Sequence, residues 1–106
     1  MNLRDLLSEA ATGLEDVEAA TGPGGEVTWS RAGRSFVVLS GDETAAEFGL
    51  DTAVAAAAMR TPDVTPSERG PGWVTFAPAV LDDHGADRAA AWFASAYRNV
   101  AGLAAR

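Results

Sequence analysis

The residues of this chain best equipped for chemistry fall into a few groups. "LDDHGADR", Leu81 to Arg88, gathers Asp82, Asp83, His84 and Asp87, the material of a metal loop or of a histidine oriented by a carboxylate. Its spacing fits neither: a calcium loop sets oxygen ligands on alternate positions with a distal Glu, and a zinc motif needs paired ligands. Helix capping accounts for the cluster, with Asp83 accepting from exposed amides and Asp87 near the positive end of the dipole. His84 is the only histidine, hence the only imidazole base on offer, and Ser30, Ser35, Ser40, Ser67 and Ser95 lie in no nucleophile-elbow sequence. "TGPGGE", Thr21 to Glu26, is rich in glycine but precedes a strand, whereas phosphate-cradling loops follow a strand and open a helix. No catalytic residue, metal site or cofactor is expected, and the chain reads as non-enzymatic.

Arginine is the second resource. Arg31 and Arg34 bracket "RAGR" and Arg69 stands in "PSERGPG", both of them turn-like sequences. On the tips of two neighbouring hairpins, three guanidinium forks would suit the phosphates of a nucleic-acid backbone. The alternative is solvated hairpin ends whose arginines pair with Glu26, Glu43 or Glu68. Three phosphate contacts imply weak, salt-sensitive binding to DNA. Trp29, Trp73, Trp92, Phe93 and Tyr97 either stack bases or fill a core, and Trp73 and Tyr97 are the two kept as stacking candidates.

These residues need elements to hold them. Leu3, Leu6, Leu7, Ala10, Leu14 and Val17 recur at helical spacing after Asn2, a natural N-cap; Gly13 either ends that helix or is passed on the way to Ala20. "EVTWS" and "SFVVLS" around "RAGR" read as a hairpin, and "GDETAAEFGL" as a third strand with Ala46 and Phe48 on one side. "LDTAVAAAAMR" reads as a short helix capped at Asp51, followed by "DVTPS" and "GWVTFA" as two more strands. The first of these belongs at an edge, because Pro66 cannot donate to a ladder. The last helix carries Trp92, Phe93, Ala96, Tyr97, Val100 and Leu103 on one stripe. The expectation is α+β: a two-layer, five-stranded antiparallel sheet with helices on one face, in the order helix, three strands, helix, two strands, helix.

Composition sets the outer bounds. With 106 residues, 47% hydrophobic and 22% charged, the chain suits one domain spanning 1–106. Without cysteine it has no disulfide framework or thiolate site. No stretch has the ~18 uncharged apolar residues of a membrane span, and "MNLRDLLSEAATG" is charged where a signal peptide is apolar, so a cytoplasmic protein is expected. The net charge of −7 discourages nucleic acid and anionic lipid on average. The excess is uneven, however: through Ala53 ten acids face Arg4, Arg31 and Arg34, and beyond it five acids meet five arginines.

Three stretches resemble the MmcQ/YjbR family of small bacterial proteins: "RAGRSFVVL", "PDVTPSERGPGWVTF" and "AWFASAYRNVAG". The resemblance runs from Trp29 to Gly102, with Ala96 where the family tends to show Ser. It implies a helix-decorated five-stranded sheet similar to secretion-chaperone folds and a DNA-binding role in which hairpins act as wings, here through Arg31, Arg34 and Arg69. The other reading is a protein-interaction or chaperone-like adaptor, a monomer or weak dimer, using the acidic first helix or the edge strand near Val64 to Ser67.

Overall fold

The computed structural model describes residues 2–104, with side chains through residue 101. Asn2 caps α1 (Leu3–Thr12) as its place before the leucine stripe implies, its side-chain oxygen accepting from the Asp5 amide at 2.8 Å. Leu3, Leu6 and Leu7 are buried. Gly13 stops the helix, and Asp16 takes a φ of 62°, a left-handed reversal that no right-handed helix passes through. The chain emerges extended as β1 (Val17–Thr21), paired antiparallel with β2 (Val27–Arg31).

This corrects the expected sheet. It has six strands, not five, and the chain order is helix, four strands, helix, two strands, helix. The reason is physical: β1 is an outer strand exposed at almost every position, so it shows no apolar alternation. Glu18-Ala19-Ala20 favours helix intrinsically, and Leu14 and Val17 prolong the α1 spacing by coincidence; pairing with β2 overrides both.

β3 (Arg34–Leu39), β4 (Ala46–Gly49), α2 (Thr52–Ala58), β5 (Val64–Pro66), β6 (Trp73–Phe76) and α3 (Asp83–Ala104) follow. The sheet runs β1-β2-β3-β4-β6-β5 with every neighbouring pair antiparallel. Asp51 caps α2 by accepting from the Ala53 amide at 2.8 Å, and β5 occupies the second edge, as Pro66 requires. The cap of α3 shifts by one residue from the expected Asp83. Asp82 accepts from the Gly85 amide at 2.7 Å, which leaves Asp83 as the first helical residue.

Alternation along the strands divides the sheet into two faces. Val27, Trp29, Leu39, Ala46, Phe48, Val74, Phe76 and Val64 point toward one core shared with α1, α2 and α3. The register sets Thr28, Val38, Glu47, Thr75 and Thr65 in a row on the other, open face. Between Trp29 and Ser30 the β2–β3 register slips, so Phe36 and Val37 together oppose Trp29. This bulge turns both residues inward, where each is fully buried. Phe93 of α3 then meets Trp29 and Phe36 edge-on, with ring centroids 5.7 and 5.3 Å away, and Trp92 meets Phe48 and Phe76 at 5.8 and 5.3 Å. The stripe of α3 is thus core as far as Val100; Leu103 lies beyond the described side chains. Among the described residues, no helix is long and apolar enough to cross a membrane.

Phe93, 0% exposed, locks α3 to the bulge, whereas Val80 is 79% exposed. Phe93→Ala should cost about 3–5 kcal/mol of unfolding free energy in a urea titration, and Val80→Ala should stay within about 0.5 kcal/mol of the parent.

Candidate functional site

The β2–β3 turn is two residues long, and both are left-handed: Ala32 has φ 52° and Gly33 φ 78°. A type I′ turn needs this, and its twist matches the flanking strands. Glycine takes the conformation freely, but Ala32 is strained in it by about 1–2 kcal/mol. The turn sets Arg31 directly opposite Arg34 as a cross-strand pair with both side chains on the helix-bearing face. Two like charges in that relation repel. Arg31 is half-buried, its guanidinium 4.3 Å from the centroid of the Tyr97 ring, and Arg34 is exposed. The Tyr97 ring is held in turn by Phe36, edge-on at 5.9 Å, and by its hydroxyl, which donates to the Glu15 carbonyl at 2.8 Å. Arg31 therefore rests on a fixed platform with its N–H groups free of any described acceptor.

Arg69 belongs to a different cluster. β4 ends at Gly49 opposite Trp73, the first residue of β6, so the β5–β6 loop reaches the same end of the sheet as the Ala32–Gly33 turn. The two tips are separated by three strand spacings, about 14 Å. They differ in face, however. Trp73 alternates with the buried Val74 and lies on the open side, over Gly49, where a Cβ would come within 2.8 Å of its indole. Arg69 stands 5.7 Å from the Trp73 ring centroid, and its Nε lies 3.1 Å from Glu47 Oε1. Ser67 donates to the other Glu47 oxygen and accepts from the Arg69 amide at 3.2 Å. Gly72 closes the loop with φ +83° and its carbonyl on the Leu50 amide at 2.9 Å, and a Cβ there would meet the Leu50 oxygen at 2.3 Å.

Thus Arg31 and Arg34 come together, while Arg69 shares their end of the sheet but not their side. None of the three pairs with Glu26, Glu43 or Glu68 among the described residues: Arg69 takes Glu47, and Glu43 takes Arg4 at 3.7 Å. Trp73 and Tyr97, kept as stacking platforms for a base, each carry an arginine instead. Two residues of this end escaped the sequence reading. Glu47 was legible as the outward neighbour of Phe48, but its partner sits on a loop twenty-two positions away. Arg98 is exposed and follows Tyr97, so its place follows from where Tyr97 packs.

The acidic cluster of α3 is resolved into helix chemistry, with Asp82 as cap and His84 exposed. Among the described residues, no group of three or more His, Cys, Asp or Glu is placed to hold a metal ion. Hydrogen bonds from the Thr44 hydroxyl, the Ser40 hydroxyl and the Thr44 amide lower the pKa of Asp42. That pattern is a turn stitched by its own aspartate, not a tuned acid. No family model, curated protein or solved structure matches the chain.

A carboxyl-carbon NMR titration should place the Asp42 midpoint below the usual 3.8. The linked stability is present above the ordinary value and lost as pH falls through the lowered one. Tyr97→Phe, which keeps the ring under Arg31, should cost about 0.5–1.5 kcal/mol for the lost hydroxyl bond, and Tyr97→Leu measurably more in the same urea titration.

Proposed function

We propose that the protein is an MmcQ/YjbR-like, non-enzymatic, cytoplasmic binding domain that engages a nucleic-acid phosphate backbone with the β2–β3 hairpin. The observation that supports this reading is the cross-strand pair Arg31–Arg34 flanking a strained Ala32. An acidic chain has nothing to gain in stability from two like charges held face to face, and an anion between them removes the repulsion. The Tyr97 platform fixes one fork in advance, which lowers the entropy lost on binding. Arg69 is the second wing, held on Glu47 until a phosphate competes for it. Glu15 and Asp16, just before β1, border this end and keep the affinity modest.

A second reading, a protein-interaction adaptor built on the acidic first helix, is favoured by one feature. A groove of about 750 Å³ between α1 and α3 is floored by Leu6, Ala10 and Leu81 and rimmed by Glu9, Asp83 and Asp87. The edge near Val64 to Ser67 supports it less. Ser67 and Asp63 point their backbone groups to β6, and of the outward positions Val64 and Pro66, proline has no N–H to offer.

Fluorescence anisotropy with a labelled duplex separates the readings. The wing reading expects binding in the range of tens of micromolar at about 50 mM salt, with log K falling against log salt at a slope of about −2 to −3. Arg31→Ala with Arg34→Ala should abolish it, and Glu47→Gln, which frees Arg69, should strengthen it a few-fold. Absence of binding at low salt, or binding indifferent to both changes, would leave the adaptor.

A further inference from the structure

We infer that the outer edge of β1 receives an extended basic segment of another protein as a seventh strand of the sheet. The inference is independent of the hairpin reading. Gly22 donates to the Glu26 carbonyl at 2.8 Å, which fixes the alternation of the β1–β2 ladder. Ala20 and Glu18 therefore exchange hydrogen bonds with Thr28 and Ser30, while Val17, Ala19 and Thr21 turn their N–H and C=O groups outward. None of these outward groups has a partner among the described residues. β1 is free of Pro, Lys and bulges, the usual means of blunting an edge, whereas β5, the opposite edge, is three residues long and ends in Pro66.

The surroundings select the occupant. Exposed Glu15 and Asp16 precede β1, Glu18 projects from its open face and Glu26 stands just before the return strand β2. A second copy of this chain would bring the same acids against these, so self-pairing is opposed, and a strand bearing Lys or Arg on the open face is favoured. The other side asks for different residues. On the helix-bearing face a groove of about 340 Å³ is floored by the apolar side chains of Val17, Ala19, Val27 and Trp29 and walled by Thr12 and by Arg4, whose guanidinium already pairs with Glu43 at 3.7 Å. Small apolar side chains fit there. The segment that matches both faces alternates basic and small apolar residues, with the backbone of its apolar positions hydrogen-bonded to Val17, Ala19 and Thr21.

The probe is acetyl-Lys-Val-Lys-Ala-Lys-Val-Lys-amide, titrated into the full chain and read by backbone amide NMR. Shifts should centre on Val17, Ala19 and Thr21, with exchange of their amides slowed about tenfold or more at saturation. Methylating the Val and Ala nitrogens of the peptide should cut affinity about tenfold, and methylating the Lys nitrogens, on the far edge, should leave it unchanged. Ala19→Pro removes one outward donor, and proline is tolerated at that side of an edge strand; it should weaken the unmodified peptide similarly. Should that variant fail to fold, the two methylated peptides carry the test by themselves. Equal affinity of both methylated peptides, shifts confined to the α1–α3 groove, no binding at millimolar peptide, or self-association through β1 without peptide would each overturn the inference.

Discussion

Phe93 meeting Trp29 and Phe36 edge-on is the contact on which the rest of the molecule hangs. It exists because β3 carries one residue more than β2 at that point, which lets Phe36 and Val37 both face the core where a regular strand would send one of them to solvent. The extra inward ring gives α3 a broad aromatic bed. It also lifts Phe36 against Tyr97 one turn further along, so the bulge that seats the helix also builds the platform under Arg31.

The electrostatics of the hairpin end follow from how an acidic chain keeps arginine useful. Guanidinium is weakly hydrated and flat, so an aromatic face orients it without consuming its donors, which a carboxylate partner would. The protein uses both solutions at one end of one sheet. Arg31 lies on Tyr97 with its N–H groups free of described acceptors; Arg69 lies near Trp73 but spends donors on Glu47. The first keeps its donors unspent among the described residues, and the second already has a carboxylate partner. Since the strand faces alternate, these two arrangements fall on opposite sides of the sheet although their loops lie at the same end of it.

The two edges of the sheet are treated as differently as the two arginines. At β5 a proline and a three-residue length suppress pairing. At β1 the strand is longer and proline-free, and the exposed charges beside it, Glu15, Asp16 and Glu18, are acidic. An edge guarded by one sign of charge discriminates between partners where a proline excludes them all.

Much of this was legible in the residues. The leucine spacing after Asn2, the glycine turn of "RAGR", the alternation through Phe48, the proline at β5 and the aromatic stripe of α3 are local signals, because each depends on neighbours within a few positions of the chain. They determined three helices, five of the strands and the antiparallel character of the sheet; that Trp29, Trp92 and Phe93 fill the core while Trp73 lies on the open face was settled by the packing. What the tertiary structure decided is what involves distant partners. β1 is a strand because β2 is there to pair with it, its own Glu-Ala-Ala preferring a helix. Arg69 meets Glu47, and Arg31 meets Tyr97, because the sheet register and the seat of α3 bring them within reach. Sequence spacing encodes which way a side chain points along its own element, but which charge or ring it finds there is set only when separate elements dock.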